Sequence, residues 1–306
     1  WTLTSLSCTK TNTGTGSTAT VDIQAGDDVT CTYVNKKAAK LTIKKVTEPT
    51  AAAQDFAFTA TGSGTSNFSL DTDADATLSD TKTFTFDGTQ LGSKSVTESA
   101  TSGWSLTNVN CTKTNTGTGS TATVDIQAGD DVTCTFTNKQ DAIVQIIKDA
   151  QPNSAQDFAF TTTGLGAGFS LDDDADATLS NTKSITVTAG GLGYGNKTIT
   201  EAATSGWTLT STSCQNGTQA PQNNAAINVQ PGDSWVCTFT NKQDGKLTIV
   251  KDAQPNDAQD FAFTASGSGT SAFSLDDDAD GTLSNTKVFT FDGTQLGSKS
   301  VTESAT

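Results

Sequence analysis

A lysine, a glutamate and an asparagine recur in this chain in a fixed order, each on the apolar side of a strand-like run. Side chains alternate across a β-strand, so positions two apart share a face. In 40–46 that face carries Leu41, Ile43 and Lys45, in 92–98 Val96 and Glu98, and in 131–138 Val132, Cys134, Phe136 and Asn138. The pattern returns as Val144, Ile146 and Lys148, then Ile199 and Glu201, then Trp235, Cys237, Phe239 and Asn241. It begins again with Leu247, Ile249 and Lys251, then Val301 and Glu303, while Asn35 follows Cys31 and Tyr33 near the start. The chain has only four glutamates, and three of them occupy this one position. Lysine and glutamate are rarely buried unless paired. One explanation is a polar bridge satisfied by mutual hydrogen bonds. The other is chemistry. A desolvated lysine becomes a neutral amine, and a protonated glutamic acid can polarise the asparagine amide and shuttle protons. The amine then attacks the amide carbon, ammonia leaves, and an isopeptide bond joins the two strands once, without turnover. Glu98, Glu201 and Glu303 would be the catalysts. The bonded pairs would be Lys45 with Asn138 and Lys148 with Asn241, and Lys251 with Asn35 across adjoining copies.

These residues sit in a repeat of about a hundred residues. Trp1, Trp104 and Trp207 open matching segments; 1–37 differs from 104–140 at seven positions, and 260–306 differs from 55–101 at six. A period this long is a whole small domain. Repeat phase divides the chain into the back part of a repeat (1–37), complete repeats at 38–140 and 141–243, and the front part of another (244–306). The chain contains no Met, opens on no secretion signal and closes on no sorting signal, so it is expected to be a window of a longer mature protein. The partial segments are complementary: residues 1–37 of one copy are expected to complete the domain begun by 244–306 of another, by chain continuity or by strand exchange.

The six cysteines fall as one pair per repeat at a constant offset, with no CxxC to suggest zinc. Disulfides Cys8–Cys31, Cys111–Cys134 and Cys214–Cys237 are expected, and with them an oxidising compartment outside the cytoplasm. With no His, Ser–His and Cys–His catalysis cannot be built. A net charge of −15 without any Arg argues against nucleic acid. No constellation for an enzyme with turnover and no cofactor motif is found. The Gly-rich runs, such as 13–17 and 190–195, are followed by no Lys-Ser/Thr and no helix, so they are loops. No apolar run is long enough to span a membrane as a helix.

Short alternating runs rich in Thr, Ser, Val and Phe, bounded by Gly, Asp and Asn, predict strands. In 38–140 they fall near 40–46, 54–61, 67–71, 81–87, 92–98, 104–111, 119–126 and 131–138. Seven or eight strands in this length predict an all-β fold of tandem β-sandwiches placed end to end through very short linkers. Trp104 and Trp207 are expected to cap cores. The acidic runs Asp71/Asp73/Asp75, Asp172–Asp174 with Asp176, and Asp276–Asp278 with Asp280 have calcium-loop spacing. Lys82, Lys183 or Lys287 stands where an EF-hand needs its glutamate, however, and Ala76 and Ala177 replace the turn glycine in two copies. A solvated turn is therefore the preferred reading and no metal is expected; the alternative is calcium as a modest stiffener, with Asp172, Asp174, Asp176, Asp276, Asp278 and Asp280 as the candidate ligands.

In sequence order, Leu-Thr-Ile-Lys-Lys, Asp-Phe-Ala-Phe, Ser-Val-Thr-Glu before a Gly-Trp, and Thr-Phe-Thr-Asn-Lys resemble the prealbumin-like (SpaA/CnaB-type) domains of bacterial pilins and surface adhesins. The resemblance covers each repeat end to end. It implies a transthyretin-like sandwich, isopeptide bonds through the Lys, Glu and Asn named above, and a stalk or pilus backbone at the cell surface, with adjoining copies of the chain as partners. The cysteine pair departs from the family pattern, and no sortase motif is visible. The expected function is thus an extracellular fibre or stalk segment. The alternative is an adhesive bead binding glycans or surfaces by avidity, for which the divergent 216–226 of the middle repeat is the best place and no ligand can be named.

Overall fold

The computed structural model describes residues 1–73, 75, 77–174, 176, 178–278 and 281–305. Among them every regular element is a strand. The first segment holds β1 (Thr2–Cys8) and β2 (Cys31–Lys36), paired only with each other. The next eight are β3 (Ala39–Glu48), β4 (Phe56–Thr61), β5 (Phe68–Leu70), β6 (Thr81–Phe86), β7 (Gly92–Glu98), β8 (Trp104–Cys111), β9 (Thr121–Ile126) and β10 (Asp131–Gln140). They form two four-stranded sheets, β6-β3-β10-β8 and β5-β4-β7-β9. The following repeat copies this with β11 (Ala142–Gln151), β12 (Ser154–Thr163), β13 (Phe169–Asp173), β14 (Thr182–Val187), β15 (Gly195–Glu201), β16 (Trp207–Asn216), β17 (Ala226–Val229) and β18 (Ser234–Gln243). Its sheets are β14-β11-β18-β16 and β13-β12-β15-β17. The last segment has β19 (Gly245–Val250), β20 (Phe261–Ser266), β21 (Phe273–Leu275), β22 (Thr286–Phe291) and β23 (Ser300–Glu303), in sheets β19-β22 and β21-β20-β23. The chain divides into two compact units, Trp1–Ala142 with Thr188–Gly193, and Ile143–Val187 with Tyr194–Thr306.

In each complete repeat the first and last strands lie side by side and parallel: β3 on β10 and β11 on β18. Parallel neighbours cannot be joined by a tight turn, so everything between them must loop out and return. The alternation read from sequence is the alternation of burial. In β3, Ala39, Leu41, Ile43, Lys45 and Thr47 point inward; in β10, Val132, Cys134, Phe136 and Asn138 do. Aromatic rings fill the space between the sheets, with Phe58 edge-on to Phe136 at 5.2 Å and Phe160 to Phe239 at 5.2 Å. Trp104 and Trp207 close the core edge-on to Phe56 and Phe158, at 5.3 and 5.4 Å. The outer faces carry cross-strand hydroxyl pairs such as Thr42–Thr83, Ser95–Thr123 and Thr97–Thr121 at 2.8–3.0 Å, which is where the Thr content of the chain goes.

All three expected disulfides are present, each joining residues directly opposite on antiparallel neighbours. On the chain-entropy view, closing a loop of this length stabilises a domain by roughly 3 kcal/mol. The linkers are as short as expected, a single Asp141 between β10 and β11 and a single Asp244 between β18 and β19.

Within each unit a segment docks on the turn of its neighbour in the same manner. The turn Asp-Gly-Thr-Gln occurs at 87–90 and at 292–295. The Gly88 amide donates to Thr2 Oγ1 at 3.2 Å, and the Gly293 amide donates to Thr208 Oγ1 at 3.0 Å. A Cβ on Gly88 would stand 2.9 Å from Lys36 Cβ and 3.0 Å from Thr4 Cγ2; one on Gly293 would stand 2.9 Å from Lys242 Cβ and 3.0 Å from Thr208 Cβ. Both glycines are therefore fixed by close approach. Gly88→Ala is expected to lift 1–37 off the turn. Hydrogen exchange should then show loss of protection at amide 88 with the 38–140 strands unchanged, whereas unchanged protection at 88 would mean that this contact does not hold the segments together.

Candidate functional site

The lysine, glutamate and asparagine picked out by parity meet inside each complete repeat. Lys45 and Asn138 come from the parallel pair β3–β10, while Glu98 reaches across the core from β7 in the opposite sheet. Their residue exposures are 1, 2 and 3 % for Lys45, Asn138 and Glu98. Lys45 Nζ donates to Asn138 Oδ1 at 2.7 Å and to the carbonyls of Val46 and Phe136 at 3.2 and 3.4 Å. Asn138 Nδ2 donates to Glu98 Oε1 at 2.6 Å, and Glu98 Oε2 lies 3.7 Å from Lys45 Nζ with no hydrogen-bond donor of its own. The Phe56 ring forms the floor, its centroid 4.1 Å from Nζ.

The second complete repeat reproduces the lysine's contacts. Lys148 Nζ donates to Asn241 Oδ1 at 2.9 Å and to the carbonyls of Phe239 and Asp149 at 3.0 and 3.1 Å, over the Phe158 ring at 4.2 Å. Both carboxylate oxygens of Glu201 are buried without a hydrogen-bond partner. In the last segment Lys251 meets Glu303 at 3.2 Å and lies over Phe261 at 3.8 Å. Asn35 is exposed on β2, away from any such group in its own segment.

Burial sets the electrostatics. It lowers the Lys45 amine from 10.5 to about 8 despite the opposing charge of Glu98, and it lowers Lys148 likewise, against Glu201. It raises Glu98 and Glu201 above the ordinary carboxyl range, against the pull of the two lysines. Both shifts run toward the uncharged partners, amine and carboxylic acid, because a low-dielectric core penalises each ion.

Two contributors were not legible in the sequence. One is the aromatic floor, Phe56 or Phe158. The other is a bulge opposite each asparagine. The β8–β10 register skips Thr107 between Thr137 and Asn138, the β16–β18 register skips Thr210, and the β1–β2 register skips Thr4. Each skipped threonine donates its hydroxyl to the carbonyl of the residue before the asparagine, Thr137, Thr240 or Val34, at 3.0–3.1 Å. The bulge thus re-aims the strand end carrying Asn138 or Asn241. The sign in the sequence is a threonine three residues after Trp1, Trp104 and Trp207, a spacing that Trp235 and Thr238 share without a skipped residue.

The acidic turns depart from expectation at one position each. Asp75 and Asp176 are exposed, as a solvated turn requires, but Asp71, Asp172 and Asp276 are buried. Asp280, Ala76 and Ala177 lie outside the described residues.

Among known proteins, a family model described as a prealbumin-like fold domain matches residues 41–140 and 144–243, and a second with the same description matches 3–37. No curated protein matches the chain. Solved structures with a similar fold include the Bacillus anthracis TIE protein, 14 % identical with a TM-score of 0.33, covering 91 % of this chain and 48 % of its own. The chain thus spans about half the length of that protein. A major pilin protein (T-13) of Streptococcus pyogenes is 16 % identical with a TM-score of 0.28, covering 69 % of this chain and 98 % of its own. BcpA, the major pilin subunit of Bacillus cereus, is 12 % identical with a TM-score of 0.32, covering 87 and 88 %.

The electrostatics make a testable statement in an Asn138→Ala background, which cannot cross-link. An unfolded chain with its lysine near 10.5 binds more protons than a folded one with Lys45 near 8, so stability should rise with pH across that window. Adding Glu98→Ala removes the charge that holds Lys45 up. Urea denaturation should then show a further loss of about 3–5 kcal/mol at neutral pH, shrinking toward about pH 10. A loss independent of pH would mean that the lysine is not desolvated in this way.

Proposed function

The chain belongs to the family of prealbumin-like fold domains, and from that premise we propose that its repeats are covalently braced beads of an extracellular fibre or surface stalk. The observation that carries this reading is the buried Lys–Glu–Asn set linking the first strand of each complete repeat to its last. Lys45 Nζ, as the neutral amine, attacks Asn138 Cγ. A half-turn of the amide exchanges Oδ1 and Nδ2 within the same pocket and presents Oδ1 to a protonated Glu98, which polarises the carbonyl by donating to it. The Cγ–Nδ2 bond breaks as the Nζ–Cγ bond forms. The departing nitrogen takes the proton lost by Nζ, relayed by Glu98, and leaves as ammonia; Glu98 ends as it began. Lys148, Glu201 and Asn241 do the same in the second repeat.

The mechanical consequence follows from topology. A pull on the two ends of repeat 38–140 enters at β3 and leaves at β10, shearing a parallel pair. A bond from Lys45 to Asn138 carries that tension directly and takes 46–137 out of its path. Cys111–Cys134 lies inside the protected stretch and serves a different purpose, keeping β8 on β10. Disulfides and an acidic, Thr-rich surface suit exposure outside the cell. Docking of a neighbouring segment on the Gly88 and Gly293 turns supports fixed joints between beads. Adjoining copies of the same repeats are the partners this arrangement calls for.

Intact-mass measurement on the denatured, reduced 306-residue chain tests the reading. The expected deficit is two ammonias, one of which is restored by Glu98→Ala and the other by Glu201→Ala. A full unmodified mass would reduce both trios to polar bridges and leave the disulfides as the sole covalent braces.

A further inference from the structure

We propose that the acidic turn of each complete repeat, Asp71/Asp73/Asp75 and Asp172/Asp174/Asp176, is a calcium site. In each set one carboxylate oxygen from every aspartate lies within 4.8 Å of the others. Oxygens bound to one calcium at 2.3–2.6 Å can stand at most about 5 Å apart, whereas magnesium draws opposed ligands to about 4 Å. A set of this size lies within the reach of one calcium ion.

Acidic turns are common without any ion, so the decisive feature is the anchoring aspartate. Asp71 is 1 % exposed and Asp172 0 %, and in both the Oδ1 atom is inaccessible and accepts no hydrogen bond. Among the described residues, the other oxygen of each accepts a threonine hydroxyl, Thr77 at 3.2 Å or Thr178 at 3.1 Å. A buried carboxylate oxygen with no donor is costly, and here it recurs at the same place in two repeats whose turn sequences differ. A cation among the three carboxylates would satisfy it.

The neighbouring aspartate shows that the set is sorted by direction. Asp173, between the two candidate ligands Asp172 and Asp174, turns away and accepts the Ala150 amide at 2.8 Å. Asp277 does the same for Ala253 at 3.0 Å. Thr72 replaces it in the first repeat, where its hydroxyl pairs with that of Thr47 on β3 at 2.6 Å and accepts the Ala52 amide at 3.1 Å. The middle residue therefore ties the turn to the chain at the end of the first strand. Of the candidate ligands, Asp73 and Asp174 each accept one amide of the turn through Oδ1, and Asp75 and Asp176 accept a threonine amide and hydroxyl through Oδ1, while Asp71 and Asp172 keep a buried Oδ1 with no donor. The absence of the EF-hand glutamate does not weigh against this, because the anchor is a buried aspartate at the start of the turn. Water would complete the six to eight oxygens that calcium takes. The turn at 71–80 runs from β5 in one sheet to β6 in the other, so a bound ion would clamp the crossover between the layers.

The test uses the full chain, stripped with a chelator and dialysed against radiolabelled calcium in excess magnesium. At least two equivalents are expected to be retained. Asp71→Asn and Asp172→Asn should each remove one. The exposed Asp75→Asn, which leaves the core untouched, should weaken binding at least tenfold while the far-UV spectrum stays unchanged. Failure to retain calcium at millimolar concentration would overturn the assignment. Equal retention by an Asp71→Asn/Asp172→Asn double variant, or displacement by magnesium at equal concentration, would also overturn it.

Discussion

Everything else in each repeat is arranged around the cost of removing one lysine from water. Lys45 and Lys148 are fully enclosed between two sheets, each above a phenyl ring. An ammonium there is tolerated only with partners on every side, or by ceasing to be an ammonium. The fold supplies both routes. Two main-chain carbonyls and an asparagine oxygen meet each Nζ, and a glutamate from the opposite sheet accompanies it. The same burial that demands these partners drives the amine toward neutrality and the carboxyl toward its acid form. Stability alone would favour an apolar residue at this position. The proposed reaction, which needs a neutral amine beside a polarised amide, would account for a lysine retained there at that cost.

The parallel pairing of β3 with β10 is what gives that reaction its consequence. A link between adjacent antiparallel strands closes a local loop, as each disulfide does across β8 and β10. A link between the first and last strands spans nearly the whole domain. The disulfide holds an edge strand against its neighbour, whereas the proposed isopeptide bond would bypass the bead. The Thr107 and Thr210 bulges belong to the same design, since they set the direction of the strand end on which the asparagine sits.

Much of this was legible because strand periodicity is two and because charged residues on an apolar face stand out. Parity alone placed Lys45, Glu98 and Asn138 on inner faces, and the constant cysteine offset gave the disulfides. The order of strands within a sheet is another matter. Nothing in the residues says that Glu98 arrives from the opposite layer, or that Phe56 lies beneath Nζ, because both depend on pairing between strands far apart in sequence. Strand ends were misjudged where pairing outlasts pattern: β10 continues through Lys139 and Gln140 because they pair with Ser105 and Trp104. Conversely, the first repeat's second strand starts at Phe56 rather than 54. Polar composition made the acidic turns look solvated, and it concealed that Asp71 and Asp172 turn inward. The sequence carries no mark of Gly88's role, since its close neighbours Thr2, Thr4 and Lys36 come from another segment.

The central claim concerns force, and single-molecule stretching of the full chain under reducing conditions addresses it most directly. With the disulfides open, only a bond from the first strand to the last can keep a complete repeat from lengthening. The expected record shows neither complete repeat extending before the tether breaks. Stepwise lengthening by the contour of residues 46–137, and by its counterpart in the second repeat, would contradict the account.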